Sequence, residues 1–423
     1  GYVPGQFTVF SKIQKIVPGG WLRYSIDKRQ IVANGLVEKR KELEVASAQD
    51  YRHKLSSSVK KTADSRRKIA LNLSGGLDSA SILYELSVQG ACVDTYTTRY
   101  VGDSKTESFK NNIDAKFAKE LVAAFGTGVH NEIEINSSQY FDAAADAADA
   151  LEVPDGNKSL PLYWFHTKEV SKGGVSGILS GEGADELLCG YNRYRHLTSS
   201  PAGIFSNGVM NLSQIRSQLG WSSLIKILFG KHPTDIFYTG LRRRIGAKKF
   251  KRLMLLKQRY SAVDLWVDEL WEYPSRNIAW RNNKQVIKTL KEQVCFILGD
   301  GNSSTDTLLD ALSKTDMLTW LAEEALIRSD KLGGAFGMES RFPFLSDPFF
   351  TWARSLETHQ KHDGTEMKAI SKKAYGGIFQ TDFLYRRKSG WSGPVDHWLS
   401  EAKQSKSPIL NVLSTDYWSG LEG

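Results

Sequence analysis

Six residues constrain the fold of this chain more than any others: Ser74-Gly75-Gly76-Leu77-Asp78-Ser79. They follow Lys68-Ile69-Ala70-Leu71-Asn72-Leu73, an apolar run of strand length, and lead into Ala80-Ser81-Ile82-Leu83-Tyr84-Glu85-Leu86, where Leu77, Ile82, Leu83 and Leu86 share a helical face. A glycine pair between a buried strand and a helix turns several backbone N–H groups toward the helix's positive end, a place for phosphate. The hydroxyls of Ser74 and Ser79 add hydrogen bonds, and Asp78 can hold a Mg2+ that bridges phosphate oxygens. The spacing is not that of the Walker loop, which needs Gly, four residues and then Gly-Lys-Ser/Thr. A tight serine-capped turn with no ligand is the alternative.

The surrounding pattern alternates. Strands are predicted over 68–73, Val93–Thr98, Asn131–Ile135 and Val175–Leu179, with helices over 78–88, Phe109–Phe125, Tyr140–Leu151 and Leu162–Ser171. This predicts an α/β fold with an open, doubly wound, mostly parallel sheet, in which ligands sit at the carboxyl ends of strands. Both Ser74 and Ser180 fall at such ends. Upstream, Phe7–Phe10, Trp21–Ile26 and Gln30–Ala33 read as a β-rich entry, followed by a helix-period stretch from Glu42 to Asp64. Downstream of about residue 195 the pattern is helical, with helices predicted over Ile204–Leu228, Ile236–Tyr260 and Asp264–Trp271. The polar run 299–307 lacks the closing Glu of a calcium loop and reads as a linker. The expected division is a β-rich linker segment over 1–45, an α/β core over 46–195, a helical basic insertion over 196–310 and a helical C-terminal part over 311–423.

The formal charge of +9 is concentrated: residues 201–300 hold 17 Lys/Arg against 7 Asp/Glu, densest from Leu241 to Arg259. A solvated face is the expected reading of that stretch, ahead of nucleic-acid binding. Three widely spaced cysteines exclude a disulfide framework and point to a reduced, cytoplasmic protein. The eight histidines form no HxxxH or HxH cluster, so a histidine-bound metal is not expected. No apolar run approaches the ~18 residues of a membrane span, and no signal-peptide pattern opens the chain.

The second dense stretch is Ser180-Gly181-Glu182-Gly183-Ala184-Asp185-Glu186. It follows a predicted buried strand and crowds three carboxylates into a glycine-permitted turn. Like charges this close repel, so the cluster costs stability unless a cation or a shared proton relieves it. Mg2+ with a polyphosphate would do so; acidic residues favoured by a helix dipole are the alternative.

Taken together, these loops resemble the N-type ATP pyrophosphatases, and more narrowly the synthetase domain of the glutamine-dependent asparagine synthetase family. Two further blocks carry the resemblance: Leu326 through Arg328, Asp330, Met338, Glu339, Arg341, Pro343 and Leu345 to Asp347, and Arg387-Lys388-Ser389-Gly390-Trp391-Ser392-Gly393-Pro394 with Trp398. The opening Gly1-Tyr2-Val3-Pro4, with Ile16-Val17-Pro18-Gly19, is similar to the segment joining the family's two domains. The resemblance spans most of the chain outside roughly 200–310, and it implies an adenine nucleotide alpha hydrolase-like sheet. It also implies attack of a carboxylate, aspartate first among candidates, on the α-phosphorus of ATP, release of pyrophosphate, and displacement of AMP by ammonia. On this basis Ser74, Gly75, Gly76 and Ser79 hold pyrophosphate, Asp78 and Asp185 hold Mg2+, and main-chain groups at Asn72, Thr98, Ser180 and Gly181 line the adenine and ribose pocket. Lys368 steadies developing negative charge, and Glu182 takes a proton from the attacking amine. Lys158, Asp185 and Glu186 are the candidates for contact with the acid. Cyclising relatives such as β-lactam synthetases typically carry Tyr at the position of Glu182, so Glu182 favours amidation by ammonia.

Three departures from the family pattern bear on substrate and partners. No glutaminase half with its N-terminal Cys nucleophile precedes Gly1, so ammonia is expected either free or from a glutaminase domain or subunit outside this chain. The family's arginine-bearing loop reads Gly156-Asn157-Lys158-Ser159-Leu160-Pro161, where Lys158 would lack a bidentate grip on a carboxylate. The region around 200–310 is longer and more basic than the family suggests. Rival readings are a ligase for a peptide or specialised-metabolite carboxylate, and a non-catalytic nucleotide-dependent binding module; a homodimer is compatible with each.

Overall fold

The structure, a computed structural model, describes residues 5–36 apart from 7, 9 and 11, then 45–101, 112–191 apart from 154, residue 194, 305–386 and 393–404. The helices predicted between Ile204 and Trp271, residues 200–304 of the basic stretch and the Arg387–Ser392 run lie outside the described residues.

The central strand β3 (Ile69–Asn72) is the apolar run before the first loop. Its alternation divides the core in two. Leu71 joins a cluster with Leu55, Val59, Leu83, Leu86 and Leu179, while Ala70 joins Tyr96, Ile133, Leu162 and Ile178 on the opposite face. A strand buried on both faces needs a helical layer on each. Parallel neighbours complete the sheet: β4 (Asp94–Tyr100), β5 (His130–Ile135), β6 (Gly177–Leu179) and β7 (Glu339–Arg341), in the spatial order β5-β4-β3-β6-β7. Ala70 pairs with Asp94 on one side and Ile178 on the other, and Ile178 pairs with Ser340. The sheet is thus doubly wound and parallel throughout its five strands, as expected.

The strand order fixes where a ligand can enter. From β3 the chain winds outward through β4 and β5, then returns to lay β6 on the other side of β3. Open α/β sheets bind ligands in the crevice at such a reversal, beyond the carboxyl ends of the strands. The residues there are Leu73–Ser74 after β3 and Ser180 after β6.

Two antiparallel strands, β1 (Gly20–Ser25) and β2 (Gln30–Leu36), precede the core as a separate hairpin. Helix α1 (Ala48–Ala63) is started by a capping box in which Ser47 and Asp50 satisfy each other's backbone N–H groups. It buries Tyr51, Leu55 and Val59. The crossover helices are α2 (Leu77–Val88), α3 (Ile113–Phe125), α4 (Ser137–Leu151) and α5 (Leu160–Ser171), with α4 capped by Asn136 and Gln139 in the same reciprocal way. A single turn, α6 (Ala184–Leu187), follows the acidic loop. The C-terminal region is helical, as expected: α7 (Thr305–Asp316) runs into a π-helical segment (Met317–Ala325) and then α8 (Leu326–Gly334). After β7 come α9 (Phe349–Ser355), α10 (Thr358–Lys361), α11 (Ala369–Tyr375), α12 (Thr381–Tyr385) and α13 (Val395–Gln404). Tyr375 on α11 packs edge-on against Tyr51 and Tyr84 and stacks on Phe379, fastening this region to α1 and α2. Among the described residues no helix is long and apolar enough to cross a membrane, and Cys92 and Cys189 are free thiols.

Candidate active site

The first loop has the geometry of an anion cradle. Gly76 caps α2 without a side-chain bond, so the first N–H groups of that helix have no local side-chain acceptor. Ser74 N–H donates to Ser79 Oγ at 3.2 Å, and the two hydroxyls lie 3.1 Å apart. Gly75 adopts φ +70°, and a Cβ there would fall 2.1 Å from the Asp114 carbonyl oxygen, so glycine is required on two counts. Arg386 clamps the same turn from the C-terminal region. Its guanidinium donates to the Gly75 carbonyl at 2.7 Å, pairs with Asp114 at 2.8 Å and lies 4.5 Å over the Phe117 ring.

The second loop meets the first through a lysine. Lys368 Nζ lies 2.6 Å from both carboxylate oxygens of Asp78 and 2.7 Å from Asp185 Oδ1. Burial opposes the charge on Lys368, but Asp185 and Asp78 outweigh it and hold its pKa above the ordinary lysine range. The backbone of Lys368 is left-handed (φ +54°), uncommon for a residue with a Cβ. Gly190 closes this pocket: a Cβ there would fall 2.1 Å from Asp185 Oδ1 and 2.2 Å from Lys368 Cε. Two carboxylates, one from each loop, therefore converge on one cationic atom at the point where the strand order reverses. They are hard oxygen donors of the kind Mg2+ takes together with phosphate oxygens, so the residues fit that ion. Among the described residues no third His, Cys, Asp or Glu joins them as a ready-made all-protein metal cage.

Other predicted residues fall into distinct positions. Gly181 packs on Asp78 so closely that a Cβ added to the glycine would fall 3.0 Å from the Asp78 Cβ, and Ser180 N–H donates to the Arg341 carbonyl. Asn72 and Thr98 are joined through the buried His166, whose Nε2 is 2.8 Å from Asn72 Oδ1 and Nδ1 is 2.9 Å from Thr98 Oγ1. Glu186 is buried, bonded by Tyr191, and burial together with Asp185 pushes its pKa up to about 8. Lys158 is not brought to the site. It is exposed and pairs with Asp396 at 2.6 Å. Its neighbour Asn157 turns inward instead, donating to Glu324 Oε1 at 2.7 Å.

His166 carries a pH prediction. Burial pushes its pKa down to about 4 from the ordinary 6.5. The unfolded chain therefore takes up this proton first as the pH falls. The stability that neutral His166 contributes is complete above about pH 6.5 and is lost as the pH drops toward about 4, a loss on the order of 3 kcal/mol. Between those limits the wild type is expected to lose about that much more stability than His166→Gln, read from urea midpoints. Parallel pH curves for the two proteins would refute it. The comparison with the variant matters because the raised pKa of Glu186 acts in the opposite direction in part of this window.

Glu182, the predicted base, sits on the open side of the acidic loop with its side chain 29% exposed. The left-handed Gly183 (φ +88°) turns the chain directly after it. Arg328 Nη2 lies 4.0 Å from Glu182 Oε1, while Arg328 Nε donates to Glu324 at 2.9 Å and the guanidinium stacks 3.5 Å over Tyr163. Sequence reasoning missed Arg328, Glu324 and Arg386. A signal existed for the first two, an acidic residue and an arginine four apart within a helical stretch.

A family model described as asparagine synthase matches residues 50–416. The chain is 26% identical to "Asparagine synthetase [glutamine-hydrolyzing] 1" of Bacillus subtilis over 98% of this chain and 61% of that protein. It is 25% identical to "Asparagine synthetase [glutamine-hydrolyzing] 3" of the same organism over 96% of this chain and 59% of that one. It thus spans about three fifths of the length of these relatives. A solved glutamine-dependent NAD+ synthetase of Acinetobacter baumannii shares 17% identity at a TM-score of 0.25, over 56% of this chain and 48% of that chain.

Proposed function

Since its match over residues 50–416 makes this chain a member of the asparagine synthase family, we propose that it is an ATP-dependent carbon–nitrogen ligase that activates a carboxylate, most simply aspartate, as an acyl-AMP and then forms an amide. The observation that carries the reading is the convergence of Asp78 and Asp185 on Lys368, across the two loops at the reversal in strand order.

In the first step an oxygen of the acid attacks the α-phosphorus of ATP and the bond to the β-phosphate oxygen breaks, so negative charge accumulates on the leaving pyrophosphate. The N–H groups of Gly75 and Gly76 and the hydroxyls of Ser74 and Ser79 receive that charge, with no reorganisation needed at the moment of reaction. Mg2+ held by Asp78 and Asp185 would supply further neutralisation of the phosphates. Lys368, released from one carboxylate as that charge arrives, has its ammonium within reach of the same region. Main-chain groups of Asn72, Thr98, Ser180 and Gly181 line the nucleoside side of the crevice. In the second step ammonia attacks the acyl carbon, AMP leaves, and Glu182 takes the proton from the nitrogen. Ammonia arrives free or is released from glutamine by a glutaminase unit. The outward turn of Lys158 removes one cation from the acid's surroundings, which favours, as a second reading, an acid other than aspartate.

The test supplies ATP, Mg2+, ammonia and a panel of acids to the purified chain. AMP, pyrophosphate and asparagine in equal amounts, dependent on aspartate, are the expected products. AMP formed only with another acid selects the second reading. ATP bound without AMP from any acid overturns both.

A further inference from the structure

The geometry points to a recognition element beside the reacting centre: we propose that Glu324, with Asp155, forms a subsite for an ammonium group. This deepens the ligase reading and rests on it for the identity of the molecule that carries the group. Glu324 is one of two adjacent buried carboxylates, Glu323 and Glu324, at the end of the π-helical segment. π-Helical segments of this kind recur at functional sites. Glu323 pairs with Lys15.

Glu324 is only half satisfied. Its side chain is 1% exposed, and Oε1 accepts from Arg328 Nε and Asn157 Nδ2, but Oε2 is buried with no hydrogen-bond partner. A buried carboxylate oxygen left this way is costly. Arg328 stands near the carboxylates of Glu324, Glu182 and Asp155, and it is already committed to Glu324 and to the Tyr163 ring. Asp155, half-buried at the start of the Asn157 turn, has its pKa pushed up to about 7 by burial and by the Glu324 carboxylate. A cationic ligand between the two carboxylates would relieve their repulsion.

The chemistry of that ligand follows from what is missing. It must bring positive charge and N–H donors into a narrow place. A divalent ion takes six or more oxygen ligands, whereas the oxygen left without a partner here is the single Oε2 of Glu324. An ammonium group, with its tetrahedral donors, suits one or two carboxylate oxygens. Arg328 joins Glu324 to Glu182 through a single guanidinium, which places the subsite next to the candidate base. The ammonium belongs to one of two molecules, an acceptor acid bearing an amino group or the nitrogen donor itself.

Binding measured without turnover separates these sources. The full chain, saturated with a non-hydrolysable ATP analogue and Mg2+, is titrated calorimetrically with aspartate and glutamate, with their desamino counterparts succinate and glutarate, and with ammonium chloride. Glu324→Gln is compared with the wild type, since it keeps the size and the oxygen that accepts from Arg328. If the group is on the acceptor, an amino acid binds more tightly than its desamino counterpart. The variant then loses roughly 10- to 100-fold in amino-acid affinity and nothing with the desamino acid. If it is the nitrogen donor, the same loss appears with ammonium chloride alone. Equal affinities of variant and wild type for all five ligands, or an equal loss for amino and desamino acids, overturn the subsite. Where Glu324→Gln yields no folded protein, Asp155→Asn is expected to show the same selective loss at smaller size. A chain that prefers amino to desamino acid yet releases no pyrophosphate upholds the subsite and refutes the ligase reading.

Discussion

Replacing Lys368 by alanine is expected to slow pyrophosphate release by roughly 10²- to 10³-fold, the effect of removing one fixed donor from a site of developing negative charge. The same substitution is expected to destabilise the fold by about 3–5 kcal/mol, because it leaves Asp78 and Asp185 facing each other with no cation between them. The two effects separate with Mg2+. A divalent ion can replace the ammonium between the carboxylates, so added Mg2+ raises the unfolding temperature of Lys368→Ala more than that of the wild type. It does not restore the rate, because the mobile donor is gone. Lys368→Arg is not expected to rescue either property: Gly190 already marks the limit of space around Asp185 and the Lys368 stem, and a guanidinium is larger than the ammonium it would replace. Wild-type stability in Lys368→Ala without Mg2+, or a full rate with it, would remove the lysine from the centre of the site.

Whether residues of the site can be read in advance depends on how local their signal is. β3 and β6 are buried on both faces, so their apolar runs show in the sequence, and the glycine-rich loops that follow them are marked by residue types that few other places need. The edge strand β7 has three residues, Glu339-Ser340-Arg341, with no periodicity; only its pairing with β6 makes it a strand. Lys368 is invisible as a lone residue, since its left-handed backbone and its two carboxylate partners come from loops about 180 and 290 positions away. The turn at Asn157 and Lys158 shows the limit at the scale of one residue. Reasoning by charge selects Lys158, but the Asn157 amide oxygen accepts from Ser159 N–H and its backbone N–H donates to Asp155, and this local turn aims Asn157 inward and Lys158 outward. Glu324 is hidden for a related reason: one of its partners, Asn157, lies 167 positions away in the sequence.

Glu182→Gln should divide the reaction at the acyl-AMP. The substitution keeps the length of the side chain and a carbonyl oxygen facing Arg328, 4.0 Å away in the wild type, so the loop after β6 and the convergence of Asp185 on Lys368 remain in place. The adenylation step uses the loop N–H groups, the two aspartates and Lys368, none of which needs a base at position 182, and acid-dependent exchange of pyrophosphate into ATP is expected within a few-fold of the wild type. Amide formation is different. As nitrogen attacks the acyl carbon it becomes a positively charged ammonium, and without a carboxylate to take its proton the intermediate reverts more readily than it expels AMP. A loss of roughly 10²- to 10⁴-fold in amide yield follows from the usual contribution of a general base. Hydroxylamine, which is more nucleophilic and forms a less basic adduct, is expected to recover part of the second step while ammonia does not. Loss of exchange together with amide formation would make Glu182 part of the adenylation machinery, and a normal amide rate with ammonia would move the base elsewhere, with the neighbouring Asp155–Glu324 pair the next group to test in that role.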